Sequence, residues 1–225
     1  MEQGHRSASS AFRARIADAT FPCVGAKSAL AQDNISFEVA GDLRSPIHDD
    51  TLVEALQAFA HDAGNDDVFL SKVLLFPATP ELDEPAFEAA LWERLQALHR
   101  VDAARFEWDP AVSDDPESPH FSLSIGRRGF YVVGLHPGAS RPARRFPVAT
   151  LVFNLHSQFE ALRADGRYAR LREVITQRDV GYSGSPNPML AIHGEQTEAR
   201  QYSGRQVGAE WRCPFARAAG DHDAA

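Results

Sequence analysis

The chain is poor in cysteine and lysine and has no long apolar run, and each scarcity narrows what it can be. Cys23 and Cys213 are too few for a disulfide framework or for a tetrahedral zinc site built from thiolates. No apolar stretch approaches the roughly 18 residues that a membrane span needs. Residues 1–20 scatter Arg6, Arg13 and Arg15 among Ala and Ser without an apolar segment, so no secretory signal is read there and a cytoplasmic location is expected. A P-loop, a Gly-x-Gly-x-x-Gly after a strand, a nucleophile elbow and a His-Glu-x-x-His are all missing. Their absence argues against the common nucleotide-dependent enzymes and metalloproteases.

What is present is an ordinary globular composition, 44% hydrophobic and 24% charged over 225 residues, enough for one large domain. The net charge of −8 is unevenly spread. Residues 1–120 hold 22 acids and 9 basic residues, whereas residues 121–225 hold 9 and 14. Arg127, Arg128, Arg141, Arg144 and Arg145 fall in a stretch with no acid at all. An acidic protein with one basic neighbourhood is a poor nucleic-acid binder, because long-range repulsion opposes backbone contacts, but it can hold a small anion.

Hydrophobic period places the elements. Helices are predicted over Ala8 to Ala19 and Val24 to Ala31, after Asp49-Asp50 and over Pro85 to His99. Strands are predicted at Ile35 to Val39, Val68 to Phe76 and Thr150 to Phe153. Phe121 to Ile125 and Gly129 to Leu135 flank Gly126-Arg-Arg-Gly129 and read as a β-hairpin. Asn154 is the expected N-cap of a long helix that Gly166 interrupts, and residues 180–215 read as an irregular tail. The expected fold is α+β, or α/β: a single domain with one mixed sheet of about five strands and helices packed on it. Residues 1–20 form a helical lead-in, 21–215 the domain and 216–225 a flexible tail.

Nine histidines offer candidate chemistry. His136 ends a strand and precedes Pro137-Gly138 and the arginine cluster, while His156 follows the strand at Thr150. Strand ends are where a rigid scaffold presents functional groups. Either histidine can equally be structural; on neighbouring elements, the two become candidates for one site. Arg141, Arg144 and Arg145 read either as a solvated loop or as a clamp for carboxylate or phosphate, which guanidinium forks match bidentately. A ligand histidine just before such a clamp suits heme, with its iron and two propionates. Cys23 and Cys213 are alternative thiolate ligands or small buried residues.

A series of segments then carries a resemblance: Phe21-Pro22-Cys23 with Ala26-Lys-Ser-Ala29, Gly134-Leu-His-Pro137, Ser140-Arg141, Arg144-Arg-Phe146, Phe153-Asn-Leu-His156, Gln158-Phe-Glu160 and Arg178-Asp179. They continue through Asn187-Pro-Met-Leu190, Glu195, Glu198-Ala-Arg-Gln-Tyr-Ser-Gly-Arg205 and Trp211 to Phe215. In this order they resemble the YqcI/YcgG family, which includes the heme-dependent guanidine N-hydroxylases of guanitoxin and D-cycloserine biosynthesis.

The resemblance implies a heme b monooxygenase, an oxidoreductase of natural-product biosynthesis. It would use O2 and electrons from a separate donor protein to hydroxylate a guanidino nitrogen of L-arginine or a related amino acid. On that reading His136 is the first choice for iron ligand and His156 the alternative ligand or distal donor, with Asn154 or Glu160 as acceptor for the second ring nitrogen. Arg141, Arg144 and Arg145 would hold propionates. Glu195 and Glu198, with Asp179 behind them, would hold the guanidinium, and Arg200 or Arg205 the substrate carboxylate; these four equally could pair with one another. Ser140, Asn187 and Tyr202 are candidate proton donors. The competing expectations are a heme carrier or sensor, a heme enzyme oxidising another nitrogen compound, and a heme-free domain whose arginine loop holds an acidic partner.

Overall fold

In the computed structural model, residues 2–64, 68–190 and 195–218 are described. Among them the chain forms six α-helices and five strands: α1 (Glu2–Ala17), α2 (Val24–Ala31), β1 (Ile35–Val39), α3 (Asp49–Asp62), β2 (Ser71–Phe76), α4 (Glu84–Ala103), β3 (Leu123–Ile125), β4 (Arg128–Leu135), β5 (Ala149–Leu155), α5 (His156–Ala164) and α6 (Arg167–Ser183). The five strands make one mixed sheet in the order β1-β2-β5-β4-β3, with only β1 and β2 parallel. This is the single α+β domain that the alternation of strands and helices implied.

Each face of the sheet is covered differently. One face carries Leu74, Phe76, Phe130, Val132, Leu151 and Phe153 against the apolar sides of α3 and α4. On the other, Val73, Leu75, Leu135 and Val152 meet Phe12 and Ile16 of α1 and Ala29 of α2. β2 is buried along its whole length, so it reads as a continuous apolar run rather than an alternation. Helix starts follow local chemistry. The Asp83 carboxylate accepts from Ala86 N at 2.8 Å with Pro85 in the first turn of α4, and the Cys23 thiol accepts from Ala26 N at 3.4 Å to cap α2.

The hairpin turns on two residues, Gly126 (φ 59°) and Arg127 (φ 60°), the left-handed pair that matches strand twist. One helix start differs from expectation. Asn154 is not a helix cap but the penultimate residue of β5; its side chain accepts from Ser71 Oγ at 2.7 Å, and Leu155 stands at the cap position. The interruption expected at Gly166 is present: it takes φ 77° and parts α5 from α6. β5 itself runs two residues past the predicted Phe153, and α6 reaches Ser183.

The tail docks by a mechanism that composition does not reveal. β3 pairs with β4 only as far as Phe130, leaving the rest of that edge open. The open edge is closed by the segment after the 3-10 turn Glu198–Gln201: Gly134 N donates to Tyr202 O at 2.7 Å, and the Tyr202 hydroxyl donates to Phe130 O at 2.9 Å. Tyr202 is fully buried and stacks on Trp92 with centroids 5.4 Å apart; Phe215 completes the same aromatic cluster.

Candidate functional site

His136 and His156 do not share a site. β4 and β5 are antiparallel, with Leu135 opposite Thr150 and Phe130 opposite Leu155. His136 leaves the sheet at one end and His156 at the other, about 20 Å apart at some 3.3 Å per strand residue. The expectation that neighbouring elements bring them together fails for this reason.

The surroundings of His136 are structural. Its ring lies flat on Phe87, centroids 4.1 Å apart, and the residue is 2% exposed. Its backbone N–H donates to Arg144 O and its carbonyl accepts from Phe146 N, which ties the following loop to the strand end. Nδ1 is buried with no hydrogen-bond partner, and a Cβ at Gly138 would stand 2.5 Å from Leu82 O and 3.5 Å from that nitrogen. Backbone therefore closes over this face of the ring. Burial holds the imidazole below its ordinary pKa, against the opposing charge of Glu84.

The arginines following His136 point their donors into the protein. Arg141 pairs with the buried Asp179 at 2.5 Å and donates to Ser185 O at 2.8 Å. Arg144 donates to Gly134 O, Tyr202 O and Gln201 O at 3.1, 3.1 and 2.9 Å. Arg145 donates to Ala139 O and Ser140 O. A guanidinium fork suits carbonyls as well as carboxylates, and here it fastens loops. The tail arginines behave alike. Arg205 pairs with Glu88 at 2.5 Å, and Arg200 donates to Gly208 O at 2.6 Å beneath Trp211. Asn187 caps its own turn through Met189 N, and Ser140 donates to Glu84. Glu195 is exposed, and His193 lies outside the described residues.

At the opposite end of the sheet the charged groups gather differently. His156 opens α5 with its Nδ1 2.8 Å from Ser122 Oγ and its Nε2 3.0 Å from Glu160. Glu160, half exposed, also pairs with Arg163, and Arg163 Nη2 reaches Glu198 at 3.5 Å. Residues 156, 160 and 163 recur at helical spacing, so one face of α5 carries all three. Burial lowers the His156 pKa below its ordinary value, against the opposing charges of Glu198 and Glu160. Tyr131 on β4 lies behind them, edge-on to Phe159 and donating to Gln201 Oε1 at 3.2 Å; burial pushes its phenol well up.

Beside this cluster, α5 and α6 border an open cavity of about 580 Å³ lined by Arg163, Tyr168, Ala169, Arg172, Glu173, Thr176 and Gln177. That volume is in the range of small-molecule sites. The Arg163 guanidinium lies over the Tyr168 ring at 4.5 Å. Arg163, Tyr168, Arg172, Ser122 and Tyr131 were not singled out from sequence; Arg163 was findable, three residues from Glu160 and seven from His156.

Heme asks for a neutral imidazole that can reach iron, an acceptor or donor that fixes the other nitrogen, and cations for two carboxylates. The set predicted around His136 does not fit, because the ring is packed between Phe87 and backbone and its three arginines are engaged with carbonyls and Asp179. The set around His156 meets part of this demand: Ser122 lies on Nδ1 and the half-exposed Glu160 on Nε2, while Arg163 is itself paired with Glu160 and Glu198, Arg172 donates to Leu190 O, and the nearby cavity is lined by Arg163 and α6 rather than by His156. Among the described residues no three His, Cys, Asp or Glu converge as a metal cage, and no helix is long and apolar enough to cross a membrane. A family model matches residues 12–216, nearly the whole chain, and its description is the YqcI/YcgG family. No curated protein and no solved structure matches the chain.

Proposed function

From the premise that the chain belongs to the YqcI/YcgG family, we propose that it is a heme-dependent monooxygenase. Its substrate would be the guanidino group of L-arginine or a related amino acid, hydroxylated on nitrogen with O2 and electrons from a separate donor protein. The observation that supports this reading is His156, whose Nδ1 is held by Ser122 two helical turns before Arg163, the α5 residue that borders an open cavity. His156 takes the ligand role first given to His136, and Arg163 and Arg172 take the propionate role first given to Arg141, Arg144 and Arg145.

Heme, when bound, supplies the iron that activates O2 for transfer to nitrogen. The chain's own residues do the rest. Ser122 fixes the imidazole plane and leaves Nε2 as the outward nitrogen. Glu160 covers Nε2 in the free protein and keeps Arg163 as a partner when it swings aside. Glu198, anchored between Arg163 and the tail, offers a carboxylate for charge-assisted pairing with a guanidinium, which would orient one nitrogen toward the reacting centre. The Tyr131, Phe159 and Tyr168 rings keep the surroundings apolar.

A hemin titration followed by the Soret band tests the proposal in wild type, His156→Ala, His136→Ala and Ser122→Ala, with L-arginine added last. Uptake should vanish in His156→Ala and persist in folded His136→Ala. Ser122→Ala should weaken it about 10-fold, the usual cost of losing a ligand's orienting partner. Loss in His136→Ala with retention in His156→Ala would overturn the ligand assignment. Colourless wild-type protein would overturn the heme reading, and a heme spectrum indifferent to L-arginine and other guanidines would overturn the substrate class.

A further inference from the structure

The arginine that sequence places at a cofactor stands instead between two distant parts of the fold. Arg144 occupies the end of the 3-10 turn Pro142–Arg144, held by its own carbonyl, which accepts from His136 N at 3.1 Å, and by its N–H to Arg141 O at 2.9 Å. From this fixed base its guanidinium binds three carbonyls: one on β4 (Gly134) and two on the tail (Gln201 and Tyr202). Gly204 makes room for it. That residue has φ 82°, and a Cβ there would stand 3.0 Å from Arg144 Cγ. Gln201 and Tyr202 close the 3-10 turn whose first residue is Glu198, capped by the Thr197 hydroxyl to Ala199 N. One short turn thus separates the carbonyls gripped by Arg144 from the carboxylate that meets Arg163 at 3.5 Å and biases His156.

We propose that Arg144 is a positioning residue: through the turn Glu198–Gln201 it sets where the Glu198 carboxylate stands against Arg163 and His156. The functional importance of that placement rests on the proposed role of Glu198, but the placement itself is a property of the free chain. A multi-donor guanidinium fixes both the height and the rotation of the turn, because its bonds reach successive carbonyls at once. The other tail anchor, Arg205 on Glu88, lies beyond Gly204 and stabilises the tail without governing Glu198.

The test uses heme-free protein, so that failure of the heme reading and failure of this one are distinguishable. The Arg163 Nε–Hε signal and the His156 ring signals are recorded by NMR at pH 8 for wild type, Arg144→Gln, Gly204→Ala and Arg205→Gln, each at a temperature where it is folded. Arg144→Gln should move both sets of signals by more than a linewidth. Gly204→Ala, which crowds Arg144 Cγ and also strains the backbone at φ 82°, should move them in the same direction. Arg205→Gln should lower the melting temperature and leave them in place, which a merely structural role for Arg144 would not predict. If Arg144→Gln does not fold, Gly204→Ala decides. Signals that coincide with wild type in Gly204→Ala and in any folded Arg144→Gln, or that move as far in Arg205→Gln, would overturn the proposal.

Discussion

Replacing Glu88 by glutamine removes the central charge of the tail's anchor. Glu88 is 8% exposed and accepts from Arg205 (2.5 Å), Ser203 (2.7 Å) and Trp211 Nε1 (3.0 Å). Burial pushes its carboxyl up, but these bonds and the Arg205 charge more than offset it and hold the pKa below the ordinary value of 4.5. An amide keeps the shape, and with its oxygen toward Arg205 and Trp211 and its NH2 toward the Ser203 hydroxyl it keeps neutral bonds but leaves the Arg205 charge unpaired. Breaking a buried pair costs roughly 3–5 kcal/mol, and the lower end applies because Arg205 keeps some solvent. For a chain of this size, about 3 kcal/mol is a fall of roughly 6–12 °C in Tm. The assay is thermal unfolding read by tryptophan fluorescence, with a second series in acid. The wild type should lose the carboxylate's contribution as pH drops below about 4.5 and through the lower folded pKa, because the unfolded chain takes up that proton first. Glu88→Gln should show none of that component. A Tm drop under about 2 °C, or an acid profile equal to wild type, would refute this account of tail docking.

His99 supplies a second pH effect: burial among Trp108 and Phe215, reinforced by Arg217 and Arg100, lowers its pKa from 6.5 to about 4, and its Nε2 accepts from Ala218 N at 3.0 Å. Because the unfolded imidazole protonates first, stability should fall by up to about 3 kcal/mol between pH 6.5 and 4; a difference in urea midpoint between wild type and His99→Phe that is the same at pH 7 and pH 4.5 would contradict it. Arg127 holds φ 60° without being glycine, and its exposed pair with Glu107 at 3.2 Å contributes little. Arg127→Gly should therefore raise stability by about 1 kcal/mol, seen as a small rise in Tm. Tyr202→Ala, which empties a fully buried site and frees the β4 edge, should cost about 3–5 kcal/mol in urea unfolding.

Sequence patterning reached the elements whose signals are local. β1 and α2 have the predicted bounds, and the hairpin differs in that its first strand begins at Leu123 rather than Phe121 and its turn is Gly126-Arg127 rather than four residues. Asn154 misled because a residue favoured at caps also bonds across strands, here to Ser71. The pairing of His136 with His156 was avoidable: strands consecutive in sequence with no α-helix between them are usually antiparallel neighbours, which sends their C-terminal ends to opposite sides of the sheet. The arginines were not readable in the same way. Arg144 and its acceptor Tyr202 are 58 residues apart, and no period or composition distinguishes a guanidinium bound to backbone from one awaiting a ligand. His156 was legible from its place at a strand end, Glu160 and Glu198 entered only through the family resemblance, and Arg163 needed only the helical repeat to be found.

The open edge of β4 also sets an order of assembly. Every strand of the sheet leaves the ribosome before Tyr202, Arg205 and Phe215, yet these residues cover the edge and complete the aromatic cluster beneath it. Until that last segment emerges, the nascent sheet presents unpaired backbone groups beside exposed aromatic side chains, which is the form most open to pairing with another chain. Recombinant yield should depend on the speed at which residues 156–215 are translated more than on that of the core strands. Slowing elongation after residue 155 would prolong the vulnerable state, and a chaperone that shields strand edges would shorten it.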